Sequence, residues 1–381
     1  MAFGQTSLIQ VKTFFGRRFT LGSPHRCPGK TDVMSLASSA QFSLWSPSQT
    51  RSHGLKTEHL PLFAPASSRA TAEAVARVLG IELAQLEERN FEDGEHKIRP
   101  LTPVRGKSVY VLHSLYGEPG QSANDKLCRL LFFISALKDA GAASVTAVVP
   151  YLCYARKDRR TKANDPVTSR YVASLLEAAG ADLVISLDVH NPAAFENAFR
   201  RPTVALTAVP LFVEYALQLN DSALCVISPD PGGVKRAELF REALEQASGQ
   251  PVGKGFVDKH RSSGVVSGTA LVGNVSDATV LVIDDLLSTG GTLQRAARAA
   301  RAAGARRVIV LVTHGLFMAG TQEALADKAI DRIVITDAVP PVRLDDKRIA
   351  AKLDVLACAP LLGEAICRLH QGGATEDLLV F

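Results

Sequence analysis

Residues 278–295 read ATVLVIDDLLSTGGTLQR. Val280, Leu281, Val282 and Ile283 form a short apolar, mostly β-branched run of the kind a buried parallel strand needs. The run ends on Asp284 and Asp285, passes two leucines, and reaches Ser288-Thr289-Gly290-Gly291-Thr292 before an Ala- and Arg-rich helical pattern starts at Leu293. The order is strand, carboxylate pair, glycine turn, helix N-terminus. Adjacent glycines let backbone N–H groups turn inward, and the start of the helix adds unpaired donors and the positive end of its dipole. That is a seat for a phosphate. The two carboxylates stand at the C-terminal end of the strand, where open α/β sheets bind ligands, and they suit hydroxyl groups or a cation beside the phosphate. A sugar phosphate meets both demands. No Gly-Lys-Ser/Thr follows the glycines, so this is not a Walker loop. The plain alternative is a strand-to-helix turn with Ser288 or Thr289 as N-cap and two solvated acids; the combination of a strand-end acid pair with TGGT favours the functional reading.

The chain has 381 residues and 46% hydrophobic content, enough for a sizeable core and two domains. No uninterrupted apolar run is long enough to cross a bilayer. The six cysteines (27, 128, 153, 225, 358 and 367) show no C-x-x-C pair and no metal-ligand spacing, and read as reduced thiols. The net charge of +5 resides in the first 60 residues, which carry Lys/Arg at 12, 17, 18, 26, 30, 51 and 56 against acids at 32 and 58. The body is neutral, so bulk charge gives no argument for nucleic acid.

Residues 1–57 lack an apolar period and are rich in Ser, Thr, Pro and Gly with almost no acids. They read as a poorly structured leader, either a targeting segment or a start codon placed too far upstream. From His59 the pattern becomes ordered. Strands are expected at 60–64, 86–91, 109–112, 145–150, 184–187, 223–227, 308–312 and 333–335, and helices at 69–79, 167–179, 234–247 and 361–369, with a long helix before Gly141. An internal repeat is visible: DAGAASVTAVVPYLCYA (139–155) and AAGARRVIVLVTHGLFMA (302–319) share helix end, A-G-A turn, apolar strand and polar exit. Two copies of one α/β unit explain the length. In the first copy His113-Ser114 replaces the acid pair, so only the second keeps the sugar-phosphate seat.

Several clusters fall at strand exits. Phe91-Glu92-Asp93-Gly94-Glu95 offers an aromatic ring and carboxylates on a hairpin-like turn, a weak signal by itself. Tyr154-Ala-Arg156-Lys157-Asp158-Arg159-Arg160 places cations where a polyphosphate could be held. His190 and Asp230 end neighbouring strands and could share one Mg²⁺ with phosphate oxygens. Lys259 and Arg261, two apart, would point the same way in a strand or extended loop.

With these residues in place, the chain resembles the ribose-phosphate diphosphokinase (PRPP synthetase) family. IDDLLSTGGT is similar to the PRPP-binding loop that this family shares with type I phosphoribosyltransferases, and the resemblance extends over about residues 60–370 with the motifs in the family's order. It implies two tandem phosphoribosyltransferase-like α/β domains with parallel sheets flanked by helices: residues 58–205 on the ATP side, 206–370 on the ribose 5-phosphate side, and 371–381 as a tail. It also implies transfer of the diphosphoryl group of MgATP to ribose 5-phosphate. Phe91, Asp93, Glu95, Arg156, Lys157 and Asp158 would then serve ATP. Asp284, Asp285, Ser288, Thr289, Gly290, Gly291 and Thr292 would hold ribose 5-phosphate, His190 and Asp230 would contact Mg²⁺, and Lys259 and Arg261 would be catalytic. The family commonly has Arg-Gln-Asp where this chain has Arg156-Lys157-Asp158, and often an aspartate where it has Ser288.

The implied partners are ATP and ribose 5-phosphate in a cytoplasmic homo-oligomer without nucleic acid or membrane, with organelle import by the leader as the alternative location. Three other functions use parts of the same sequence. A PRPP-consuming phosphoribosyltransferase would not need the FEDGE segment, the cations at 259 and 261 or a second copy. A noncatalytic regulatory homologue would not need Lys259, Arg261, Asp284 and Asp285 intact. A PRPP-sensing DNA-binding regulator would need a basic helical module, which the neutral body lacks.

Overall fold

The structure, a computed structural model, describes residues 60–262 and 265–379; the leader expected at 1–57 and the side chains of residues 259–269 lie outside that part. The first half runs β1 (Leu62–Phe63), α1 (Arg69–Leu79), β2 (Leu86–Asn90), β3 (His96–Pro100), β4 (Ser108–Leu112), α2 (Ala123–Asp139), β5 (Ser144–Val149), α3 (Thr168–Ala179), β6 (Leu183–Leu187), α4 (Pro192–Ala198) and β7 (Thr203–Leu206). The second half runs α5 (Val209–Leu217), β8 (Leu224–Ser228), α6 (Val234–Ser248), β9 (Gly253–Ser262), β10 (Val265–Val272), β11 (Thr279–Leu287) and α7 (Gly291–Ala302). It continues with β12 (Arg307–Gly315), α8 (Thr321–Leu325), β13 (Arg332–Thr336), α9 (Lys347–Ala350), β14 (Leu353–Leu356) and α10 (Ala359–Gln371).

Two sheets result. The first has the order β1-β4-β5-β6-β7 and is parallel throughout. The second has the order β10-β9-β8-β11-β12-β13-β14 and is parallel except for β10, which lies antiparallel to β9 at the edge. The expectation of parallel sheets therefore holds for every strand of the two but this one. Both faces of both sheets are covered, which is why their strands read as unbroken apolar runs. In β4, Val109 and Val111 face a core with α2, α3 and α4, while Tyr110 and Leu112 face a core with α1. In β11, Val280 and Val282 pack with α7, while Leu281 and Ile283 enter the same core as Tyr110. That shared core gathers one face of each sheet with α1, α5, α6 and α10, so the two halves are joined by apolar burial.

The helices follow their sequence periods. In α1 the buried residues are Ala72, Val75, Ala76 and Leu79, one stripe at three- and four-residue spacing, and Gly80 closes the helix in the left-handed conformation. In α7 the stripe is Leu293, Ala296, Ala297 and Ala300, small enough for close approach to the sheet. The two repeat copies become β4-α2-β5 and β11-α7-β12, each a parallel pair with a crossover helix. They differ at the helix start. Ser122 and Asp125 close α2 with a reciprocal capping box, whereas α7 begins behind Gly290 with no side-chain cap.

Residues 376–379, expected as part of a tail, return to the first sheet: Leu378 is fully buried and Leu379 bridges to Leu206 beside β7. The hairpin β2-β3 stands apart from both sheets and leans on α2, where Arg129 reaches Glu88 at 3.1 Å and Asn90 at 2.6 Å. Among the described residues the cysteines are free; Cys128 is exposed and the others are buried. No helix among them is long and apolar enough to cross a membrane.

Candidate active site

The acid pair ends the buried part of β11. Asp285 is almost fully buried and Asp284 half-buried, and the Asp285 N–H donates to Asp284 Oδ1 at 2.9 Å. Two buried carboxylates side by side need compensation. It comes from both sheets. His190, three residues beyond β6, lies with Nδ1 2.9 Å from Asp285 Oδ2. Arg236, in the first turn of α6, places Nη1 3.1 Å from Asp285 Oδ1 and 3.4 Å from Asp284 Oδ1. Burial opposes ionisation of Asp285, but the His190 hydrogen bond and the Arg236 charge hold its carboxyl well below the usual range. Burial and the neighbouring Asp285 charge push Asp284 up to about 8. The hydrogen bond to Asp285 raises the His190 imidazole. Burial and mutual repulsion therefore disfavour two charges on the pair, and the His190 and Arg236 contacts draw the charge toward Asp285.

Beyond the acids the chain turns through Ser288-Thr289-Gly290 into α7. Gly290 has φ +78°, and a Cβ there would lie 3.1 Å from Ala324 Cβ, so the position needs glycine for both conformation and space. The Ser288 carbonyl is fixed by the Met318 N–H at 3.0 Å and by the Thr321 hydroxyl. The uncapped first amides of α7 stand directly after this pinned turn.

Asp230 lies two residues beyond β8 and accepts from the Gly232 and Gly233 N–H groups at 3.0 and 3.3 Å, folding SPDPGG into the turn that launches α6 and Arg236. A Cβ on Gly233 would come within 2.7 Å of Ser228 Oγ. Next to His190, Asn191 caps α4 through Oδ1 and donates from Nδ2 to Asp158 at 2.7 Å, tying the cationic loop to the exit of β6. In that loop Arg156 is exposed, and Lys157 turns onto Asp165 at 2.7 Å.

Two further contacts join the sheets here. The Asp188 carboxylate accepts from the Ala208 N–H at 3.1 Å and from the Thr313 hydroxyl. His314 donates from Nε2 to the Leu187 carbonyl at 2.8 Å, which fixes its tautomer.

The structure thus gathers His190, Asp284 and Asp285, and links Asp158 to the neighbour of His190. It leaves Phe91, Asp93 and Glu95 apart: their hydrogen bonds among the described residues stay within the hairpin, and Arg89 covers the Phe91 ring at 4.9 Å. Lys259 and Arg261 lie on β9, paired with Thr269 and Val266 of β10, and their side chains lie outside the described ones. Arg236 was not singled out from the sequence. The available signal was the need of two strand-end acids for a cation, met by the arginine three residues after the SPDPGG turn. In the first copy, His113 occupies the corresponding strand exit, fully buried with Nδ1 3.0 Å from Ser68 Oγ. Burial pushes its imidazole down to about 3, so it stays neutral.

Among the described residues no group of three or more His, Cys, Asp or Glu side chains forms a metal cage. Mg²⁺ bound with a nucleotide takes one or two carboxylates and fills its remaining positions with phosphate oxygens and water. His190 with its Nε2 unbonded among the described residues, and carboxylates at the exits of β8 and β11, fit that sparse donor set.

Comparison with known proteins agrees with this architecture. A family described as the N-terminal domain of ribose phosphate pyrophosphokinase matches residues 60–180, and one described as the phosphoribosyl synthetase-associated domain matches residues 260–379. The ribose-phosphate pyrophosphokinase of Caldanaerobacter subterraneus is 37% identical over 325 residues, 84% of this chain and 98% of the relative. Ribose-phosphate pyrophosphokinase 1 of Listeria innocua is 36% identical over 322 residues, 84% of this chain and 96% of the relative. The crystal structure of phosphoribosylpyrophosphate synthetase from Mycobacterium smegmatis superposes with a TM-score of 0.72 at 32% identity, covering 83% of this chain and all of that one. The chain belongs to the ribose-phosphate pyrophosphokinase family.

Proposed function

We propose that this protein makes PRPP and AMP from ribose 5-phosphate and ATP, with residues 58–205 serving ATP and residues 206–370 serving the sugar phosphate. The observation that carries the reading is the acid pair held by His190 and Arg236 immediately before an uncapped helix start. Asp284 and Asp285 accept the ribose hydroxyls. The amides from Ser288 to Thr292 take the 5-phosphate, where the helix dipole favours its charge.

The C1 hydroxyl oxygen then attacks the β-phosphorus of ATP. A bond forms from that oxygen to the β-phosphorus, and the bond from the β-phosphorus to the bridging oxygen of the α-phosphate breaks, its electron pair leaving with AMP while the C1 hydroxyl proton passes to water. Phosphoryl and diphosphoryl transfers are accelerated chiefly by positioning and charge stabilisation. Lys259 and Arg261 supply the charge on the transferred group, and the loop carrying Arg156, Lys157 and Asp158 orients the triphosphate. Phe91, Asp93 and Glu95 take the adenine. Since the hydrogen bonds of Phe91, Asp93 and Glu95 among the described residues stay within the hairpin turn, their place in the ATP site is best supplied across a contact between subunits, in a homo-oligomer. Mg²⁺ held by His190 and Asp230 would neutralise phosphate charge.

The test is a phosphorus NMR time course with MgATP and ribose 5-phosphate, run on the wild type and on Lys259→Ala. Coupled appearance of AMP and a sugar 1-diphosphate, lost in the variant, is the expected result. PRPP binding without turnover in the wild type would replace the enzyme by a regulatory homologue or a transferase.

A further inference from the structure

Between β5 and α3 the chain carries Arg156, Lys157, Arg159, Arg160 and Lys162, with Asp158 and Asp165 as the only acids of residues 156–165. Asp158 is engaged by Asn191 at 2.7 Å. Asp165 is therefore the internal counter-charge, and the loop is wound around it. Its Oδ2 accepts from Lys157 Nζ at 2.7 Å, from the Thr161 hydroxyl at 2.7 Å, and from the Thr161 and Lys162 N–H groups at 2.9 and 3.0 Å. Its carbonyl accepts from Arg160 Nε at 3.2 Å. Lys157 is pinned at both ends: its N–H donates to the Tyr154 carbonyl at 3.2 Å, and its carbonyl accepts from the Ser169 N–H at 3.2 Å, joining the loop to α3. Tyr154 and Asn164, near the two ends of the loop, both have positive φ, at 63° and 62°. By contrast, Arg156 is exposed and makes no hydrogen bond or ion pair among the described residues.

A lysine aimed at a polyphosphate would have to leave a charge-assisted bond of 2.7 Å and expose its neighbours to unbalanced repulsion. A lysine that neutralises Asp165 instead closes the loop and leaves Arg156 to the ligand. We propose that Lys157 and Asp165 are a positioning pair, which holds the cationic loop in the shape that presents Arg156 to the triphosphate. Lys157 thus serves nucleotide affinity through Asp165 and does not itself contact phosphate. This rests on the assignment of the loop to ATP. It also accounts for a lysine where the family commonly has glutamine: the ammonium has a partner eight residues on. The hydrogen bonds from Lys157 and Thr161 hold the Asp165 carboxyl well below the usual carboxylate range, in keeping with its place as the anion at the centre of the loop.

The experiment compares Lys157→Met, Asp165→Ala, the double variant and Lys157→Arg by kinetics and by backbone amide exchange. Each single variant is expected to raise the KM for ATP about tenfold, with kcat and the KM for ribose 5-phosphate changing less than about twofold. The double variant should be no worse than the poorer single one, because one interaction is lost in all three. Lys157→Arg should restore most of the affinity. The Thr161 and Lys162 amides should exchange faster in Lys157→Met as well as in Asp165→Ala. A raised ATP KM in Lys157→Met with a wild-type value in Asp165→Ala, or additive losses in the double variant, would overturn the proposal in favour of direct phosphate contact. If the wild type forms no PRPP, the functional reading falls, and the exchange data still decide the pair: unchanged protection of Thr161 and Lys162 in Lys157→Met refutes it.

Discussion

The imidazole of His190 and the carboxylate of Asp285 stand 2.9 Å apart and join the exit of β6 in one sheet to β11 in the other. The bond orients a half-exposed histidine and keeps a buried acid ionised beside a second one. Asp285→Asn keeps the shape but removes the charge. On the role proposed for Asp285, we expect kcat/KM for ribose 5-phosphate to fall about a hundredfold or more, since a buried charge-assisted contact and the proposed acceptor for the ribose hydroxyls would be lost together. The His190 pKa, followed by NMR in the free protein, should drop toward its ordinary value. An unchanged His190 titration would show that Asp285 is not its controlling partner.

Asp284 links the site to stability. Its carboxyl keeps its proton up to about 8 in the folded chain, whereas an unfolded aspartate releases it near ~4. Between those values the folded state binds more protons than the unfolded one, so stability falls as pH rises. His190 acts in the same direction, because the stability gained from its raised pKa is present below the unfolded value and lost as pH passes the folded one. Asp284→Asn removes only the first contribution. Relative to the wild type without substrates, its stability should rise between pH 5.5 and pH 8.5, read as a melting temperature that gains on the wild type's as pH increases. Parallel melting curves across that range would disprove the assignment.

The loop, the repeat and most strands were legible because each has a local cause. The run from Val280 to Ile283 is apolar since both faces of β11 are covered, and Gly290 is a glycine since its φ and the nearness of Ala324 demand one. What stayed hidden depends on contacts between distant residues. The stretch 203–217 is nearly all apolar, so no period separates β7 from α5. Arg236 looks like any helical arginine until α6 is laid beside β11. Leu378 and Leu379 look like a loose end until β7 is there to receive them.

Thr313 shows how the two sheets are held in register at the site. It is fully buried and donates its hydroxyl to Asp188, a residue with φ +40° two positions before His190. Valine fills the same volume but leaves the buried carboxylate with one donor fewer. Thr313→Val should cost about 1–3 kcal/mol in chemical denaturation. It should also lower kcat, because the backbone that carries His190 loses a tether. Wild-type stability in this variant would mean that Asp188 is satisfied without Thr313.

The glycine turn offers a paired comparison. Gly290→Ala places a methyl group 3.1 Å from Ala324 Cβ at φ +78°, whereas the same change at Gly291 meets only the end of the Arg295 side chain, at 3.5 Å. The first substitution should cost about 1–2 kcal/mol of stability for the left-handed conformation and force the turn to shift. The second should cost less than about half as much, since it lies at the first position of a helix, where alanine is favourable. On the proposed assignment of the 5-phosphate to the amides around Gly290, the shift should raise the KM for ribose 5-phosphate about tenfold or more while the KM for ATP changes little. Melting curves and initial rates of the two variants decide the matter. Equal losses of ribose 5-phosphate affinity without any difference in stability would mean that the seat does not depend on the strained turn.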